Sequence, residues 1–236
     1  MSYSNTGHEV LIAVFQVRHF PATPDTPRPG PELGVLLWQR ALDPQSGTWS
    51  LPGGRLRDDE DLTSSARRQL AEKVDVREVA HLEQLSVFSA PDRIPGDRTI
   101  ASTYLGLVPI TSDPQLPDDT AWHPVADLPE MSFDHRVMVT NAHARLAAKL
   151  SYTNIAYGLT PAEFSMSTLR DIYCAALGYQ VDATNLQRVL ARRDVLTRTG
   201  NTAPSGKSGG RPPALYRFTD SRLRVTDEFA ALRPPG

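Results

Sequence analysis

WSLPGGRLRDDEDLTSSARRQLAEKVDV, residues 49–76, runs from a strand through a double-glycine turn into a charged helix. Residues 49–56 read as the strand and turn, and 61–74 as the helix, with Leu62, Ala66 and Leu70 on its core-facing side. Positions 69, 72 and 73 are helical neighbours at i, i+3 and i+4. They carry Gln69, Glu72 and Lys73, whose formal charges cancel. Three carboxylates at this spacing would converge on a hard divalent cation, which neutralises a pyrophosphate and activates water. Lysine offers donors only, and its ammonium repels a dication at a few ångströms.

The spacing carries a resemblance. Gly54, five residues, Glu60, seven residues and then Arg68 reproduce that of the Nudix box, and WSLPGG is similar to the strand and turn that introduces it. The box continues as Arg-Glu-apolar-x-Glu-Glu-x-Gly-apolar. This chain supplies Arg68, Gln69, Leu70, Ala71, Glu72, Lys73, Val74, Asp75 and Val76, and so departs at Gln69, Lys73 and Asp75. The resemblance implies a mixed α/β fold, the Nudix α/β/α sandwich. The departures imply a pocket with no catalytic residues and no metal. Glu72 is then free to pair with Arg68 at i+4. Residual hydrolysis through Glu60, Glu72 and one of Asp58, Asp59 or Asp61 is the competing outcome.

A cleft without catalysis can still bind a ligand. Arg40, Arg55 and Arg98 fall at strand ends or turns near where a Nudix substrate's phosphates rest, and arginine grips phosphate bidentately without a metal. Ordinary solvated arginines are the plain alternative. The expected effector-binding residues are Arg40, Gly53, Gly54, Arg55, Glu60, Glu72 and Arg98, with residues 89–99 (SAPDRIPGDRT) as one wall of the cleft.

Outward from this stretch, strands are expected at 10–17, 34–40, 82–88 and 100–108, with a Pro-rich loop at 21–34 and the start of a short helix at 125–128. Residues 134–150 show helical apolar spacing at Val137, Val139, Ala142, Leu146 and Leu150. The composition is that of an ordinary globular protein, 40% hydrophobic and 22% charged in 236 residues. Apolar runs such as VLIAVF are too short to cross a bilayer, and no signal peptide is apparent at the amino terminus. One cysteine, Cys174, excludes an internal disulfide; it is expected as buried packing in a cytosolic protein.

The net charge of −2 conceals an asymmetry. Residues 1–151 hold 14 Lys+Arg against 20 Asp+Glu (14 − 20 = −6), and residues 152–236 hold 11 against 7 (11 − 7 = +4). A basic back half suits a polyanion. There, 164–177 reads as a helix capped by Ser165 or Ser167 and ended by Gly178, and 182–193 as a second, capped by Asp182. The second projects Asn185, Arg188 and Arg192 away from Leu186, Val189 and Leu190, as a helix reading base edges would. Strands at 195–199 and 214–218 flank a Gly/Pro/Ser loop whose charges are Lys207 and Arg211, suited to a narrow minor groove. This is the pattern of a winged helix-turn-helix; a solvated hairpin is its plain alternative.

Taken whole, the chain resembles the Nudix-related transcriptional regulators of the NrtR family, repressors of NAD-synthesis genes. The resemblance is carried by EQLSVFSAPDR (83–93), SFDHR (132–136), LSYTNIAYGLTPAEFSMSTLRDIYCAALG (150–178) and GGRPPALYRF (209–218). It implies an effector-sensing domain at 1–133, a linker helix at 134–151, a winged helix at 152–225 and a disordered tail at 226–236. It further implies ADP-ribose or a related NAD metabolite as effector, no cofactor, and a homodimer on a palindromic double-stranded operator contacted by Thr184, Asn185, Arg188, Arg192, Lys207 and Arg211. Two other functions compete: an active ADP-ribose or nucleoside-diphosphate pyrophosphatase with a nucleic-acid tether, and a non-specific DNA- or RNA-binding protein.

Overall fold

Eight consecutive buried residues, 10–17, form the middle of strand β1 (Gly7–Arg18). Six successive apolar residues, 10–15, continued by buried Gln16 and Val17 without alternation, mark a strand covered on both faces. The structure, a computed structural model, describes residues 6–22, 27, 30–204 and 212–227. Beside β1 lie β2 (Glu32–Gln39) and, in parallel register from Gly7 against Thr99 to Phe15 against Leu107, β6 (Thr99–Leu107). With β3 (Trp49–Ser50) and β5 (His81–Phe88) at the ends, the order is β3-β2-β1-β6-β5; β4 (Gly53–Arg55) pairs with β1 and β7 (Thr120–Pro124) with β2, giving seven strands. Val10, Ile12 and Val14 point to one face, where Ala66, Leu70 and Val74 of helix α1 (Leu62–Val74) close the core with Leu36 and Tyr104.

Local chemistry sets the bounds of α1. The Asp61 carboxylate accepts from the Ser64 amide at 2.7 Å, satisfying an orphan donor of the first turn. Asp75 ends the helix in the left-handed region (φ 51°, ψ 27°), a conformation aspartate tolerates better than most residues. The departure at Asp75 therefore leaves the helix stop intact.

Helix α2 (His135–Tyr152) buries Met138, Val139, Ala142, Leu146 and Leu150. Val137, expected on that stripe, is 53% exposed, because Met138, at i+3 from His135 and i−4 from Ala142, falls on the buried side instead. Residues 125–128 form a turn and not the start of a helix: Asp127 N–H closes onto Pro124 O at 3.0 Å.

In the carboxy-terminal part, a 3-10 turn (Ile155–Gly158) precedes β8 (Phe164–Ser165), α3 (Met166–Leu177), α4 (Ala183–Arg192), β9 (Leu196–Thr202) and β10 (Ala214–Phe218). The strands form a separate three-stranded sheet, β8-β10-β9. Ser165 caps α3 through Thr168 N–H at 3.1 Å, Gly178 ends it at φ 76°, and Asp182 caps α4 through Asn185 N–H at 2.7 Å. Cys174 is half-buried rather than fully packed, and its sulfur accepts from Val181 N–H at 3.2 Å. The buried Asn154 amide donates to Asp220 O and Arg222 O and accepts from Arg224 N–H, at 2.7–3.1 Å, pinning the chain after β10. Thr226 and Asp227, expected in a disordered tail, donate backbone N–H groups to Tyr152 O at 2.8 and 3.1 Å. The rest of that tail, 228–236, lies outside the described residues.

The chain divides into two compact units: Met1–Gln16, Gly34–Val108 and Ser112–Arg145 in one, Val17–Leu33, Pro109–Thr111 and Leu146–Gly236 in the other. Two internal segments of the expected first domain thus group with the carboxy-terminal unit, since compactness follows contacts rather than chain order. Among the described residues no helix is long and apolar enough to cross a membrane.

Candidate functional site

Where β4 crosses β1, Gly53 lies opposite Leu11 and Gly54 opposite Val10. Gly53 has φ 155°, and a Cβ there would stand 2.1 Å from Val10 O. The double glycine therefore lets β4 lie directly on β1, opening a cleft of about 410 Å³ beside it. Trp38 and Arg40 line it from the end of β2, Lys73 from α1, Ile94 and Pro95 from the 89–99 segment, and Phe133 and His135 from the entry to α2.

The helix face with the substituted box is not the open acidic surface that metal binding needs. Gln69 is 3% exposed, tucked under Gly54, and donates to Arg55 O at 3.3 Å. Lys73 is half-buried; its Nζ donates to Gly53 O at 2.5 Å and lies 4.7 Å from the centre of the Trp38 ring. Burial holds its pKa below the usual lysine value, with Glu9 opposing that shift. Arg68 fills the space between the two carboxylates of the box, donating to both Glu60 oxygens (2.5 and 2.7 Å) and to Glu72 at 3.1 Å. The Arg68 hydrogen bonds hold the Glu60 carboxyl down at about 2. Asp61 is committed to the α1 cap.

Of the expected effector-binding residues, Arg40, Gly53 and Gly54 line the cleft. Arg55, Glu60, Glu72 and Arg98 are not among the residues that line it. Arg55 is exposed and contributes a carbonyl to Gln69; Glu60 and Glu72 are drawn onto Arg68, with Glu72 also 3.6 Å from Arg57; Arg98 is exposed and donates to Ser89 O at 3.4 Å.

Behind the cleft, the Arg93 guanidinium, with a side chain 1% exposed, donates to Glu9 at 2.6 Å and bidentately to Asp134 at 2.8 and 2.9 Å. A buried cation flanked by two carboxylates satisfies the rule that buried charge is paired. Next to it, His135 Nδ1 accepts the Leu51 N–H at 3.0 Å, which places the ring proton on Nε2. Burial pushes His135 down to about 4, so the ring is neutral near pH 7. Phe133 stacks under Arg40, whose guanidinium carbon is 5.0 Å from the ring centre.

On α4, Leu186 and Leu190 are buried while Thr184, Asn185, Arg188 and Arg192 are all exposed. Arg188 Nη2 donates to Asn185 Oδ1 at 2.8 Å, holding an amide and a guanidinium side by side. Both can address base edges in a major groove. Lys207 and Arg211 lie outside the described residues.

A Nudix domain model matches residues 26–142, and a model of the NrtR DNA-binding winged helix domain matches residues 156–218. Over 194 residues the chain is 30% identical to the ADPR responsive transcriptional repressor NtrR of Acinetobacter baylyi, covering 79% of this chain and 76% of that protein. The chain belongs to the NrtR family. Shewanella oneidensis NrtR crystallised with a 27mer DNA is 26% identical, with a TM-score of 0.71 over 89% of this chain and 93% of that one. The Nudix domain of the same Shewanella protein, crystallised with ADP ribose, is 30% identical over 61% of this chain and 90% of that one, with a TM-score of 0.50.

Sequence reasoning in this NrtR-family chain missed Glu9, Trp38, Arg93, Phe133 and His135 as cleft residues and their supports. No spacing rule joins positions so far apart. The stretches that contain three of them, SAPDR and SFDHR, carry the family resemblance, and that was the available signal. Lys73 was read as the loss of a metal ligand and as a change in the cleft's charge, but not as a donor to a ligand, although its place on α1 aims an ammonium at the cleft.

Proposed function

We propose that this protein is a DNA-binding transcriptional repressor whose Nudix-type cleft senses ADP-ribose or a related NAD metabolite and does not hydrolyse it. One juxtaposition carries the reading: a cleft that keeps Arg40 and Lys73 while the box carboxylates are held on Arg68, in a chain whose α4 exposes Asn185, Arg188 and Arg192. A sensor that destroyed its ligand would report poorly, and engaged carboxylates suit binding without turnover. The names of the relatives, an ADPR responsive repressor and an NrtR crystallised with DNA and with ADP ribose, support the same assignment.

The full reading is a homodimer on a palindromic operator upstream of NAD-biosynthesis genes, because one winged helix contacts too few base pairs for genomic specificity. Effector binding would shift the population of operator-competent dimers. The test is selection of bound DNA from a random pool, with and without ADP-ribose. A palindromic consensus whose recovery changes with ADP-ribose is expected. Recovery of sequences no better bound than scrambled DNA at physiological salt would replace this reading with non-specific nucleic-acid binding.

The pyrophosphatase reading keeps one observation in its favour: Glu72 is 53% exposed and within reach of solvent cations. Incubation of ADP-ribose with the protein and Mg²⁺ or Mn²⁺ is expected to leave the ligand intact. Turnover abolished by Glu72→Gln would establish the enzyme instead.

A further inference from the structure

The residues of the box do not fit a divalent metal ion. Gln69 is buried and donates to a carbonyl, Lys73 brings positive charge, and Glu60 and Glu72 are both paired with Arg68. Among the described residues there is no group of three or more His, Cys, Asp or Glu able to hold a metal. A diphosphate ligand in the cleft would still need cationic partners. The position of Lys73 supplies one. Its Nζ sits against Gly53 O, a backbone carbonyl of the kind that hard cations use as a ligand, and over the Trp38 face.

Among the described residues Gly53 O is the acceptor for Lys73 Nζ, and no carboxylate stands within ion-pair distance of it. An ammonium has three N–H donors, so two remain for a ligand. Arg40 spends Nε on Pro44 O at 3.2 Å and one face of its guanidinium on the Phe133 ring, leaving its terminal nitrogens for an anion. Glu9, the carboxylate that lines the cleft, is occupied by Arg93. The cleft therefore offers two cations and one acid already engaged.

We infer that the Lys73 ammonium is the built-in cation of this cleft, taking with Arg40 the phosphate charge of a diphosphate ligand in the place of a divalent metal, so that binding needs no metal ion. This deepens the proposed effector site and rests on its being a ligand site. It also gives the departure at Lys73 a function beyond the loss of catalysis: the same substitution that removes a metal ligand supplies the charge the metal would have brought.

The experiment is calorimetric titration of the full-length protein with ADP-ribose and, separately, with inorganic pyrophosphate, each in EDTA and in excess Mg²⁺. Wild type, Lys73→Met and Lys73→Arg are compared, with thermal unfolding confirming that each variant is folded. Wild-type affinity is expected to be unchanged by EDTA. Lys73→Met is expected to weaken both ligands roughly 10- to 100-fold, the range for loss of a charge-assisted hydrogen bond, and Lys73→Arg to recover most of that. Wild-type binding that collapses in EDTA overturns the inference without any variant, as does Lys73→Met binding with wild-type affinity. Pyrophosphate binding without ADP-ribose binding would refute the effector named above and leave the role of Lys73 standing. Binding of neither ligand overturns the inference, while operator selection still decides the repressor reading.

Discussion

His135 is held neutral by its surroundings. It is 4% exposed, its Nδ1 is bound by Leu51 N–H, and burial outweighs Asp134, with Arg93 and Arg40 adding to the downward shift to about 4 from 6.5. The unfolded chain binds a proton at 6.5 that the folded chain refuses until about 4, so stability from this group is complete above pH 6.5 and falls as pH drops through that window. Denaturant unfolding at pH 7.5 and pH 4.5 is expected to differ by on the order of 2–3 kcal/mol from this residue, a difference that His135→Asn largely removes. An unchanged pH difference in the variant would place the dependence elsewhere, for example on His123, which burial shifts the same way. Residues differ in how far their roles could be read in advance. Gly54 and Arg68 were legible because fixed spacing identifies them. Arg93 and His135 were not, because their partners Glu9, Asp134 and Leu51 are chosen by the fold; a buried guanidinium and a neutral imidazole look like surface charge in a string of letters.

At the level of elements, the β4 turn and α4 make opposite demands on substitution. Gly53 combines positive φ with a Cβ position against the Val10 backbone, whereas a Cβ at Gly54 meets only the end of the Gln69 side chain, at 2.9 Å. Gly53→Ala is expected to cost roughly 2–3 kcal/mol in urea unfolding, and Gly54→Ala under about 1 kcal/mol. Equal costs would mean that the register of β4 on β1 does not depend on Gly53. On α4, Arg188→Ala is expected to abolish operator binding in a gel-shift or anisotropy titration while leaving the melting temperature unchanged, because Arg188 is exposed and its hydrogen bond is to the equally exposed Asn185. Helices α1, α3 and α4 were legible to within a residue or so because caps and apolar periodicity are local: Asp61, Ser165, Gly178 and Asp182 each do where they stand what their chemistry dictates. Strand β7 was not. TAWHP has Pro at its end and neither alternation nor a β-branched run, and it is a strand only because β2 offers it a partner from Gly34 to Trp38. The pair Phe164–Ser165 is a strand for the same reason, paired with Leu215 and Tyr216.

For the molecule as a whole, the charge asymmetry and the two resemblances located the two functional parts, but the compact units do not follow the chain. Val17–Leu33 and Pro109–Thr111 join the carboxy-terminal unit, an association between distant segments that no window of sequence contains. The proposed function makes one demand that neither unit can meet alone. If ADP-ribose changes operator affinity by some factor, thermodynamic linkage requires the operator to change ADP-ribose affinity by the same factor. Two titrations test this on the full-length protein: operator binding with and without saturating ADP-ribose, and ADP-ribose binding with and without saturating operator. Couplings of this kind are typically about 1–3 kcal/mol, or roughly 5- to 150-fold, well inside what either titration resolves. Equal factors are expected from both directions. Under Lys73→Met the operator affinity without ligand should stay at the wild-type value while the ADP-ribose concentration needed to shift it rises, since the substitution weakens the ligand and leaves α4 untouched. A factor of one in both directions would separate the cleft from DNA binding and leave the repressor without its sensor.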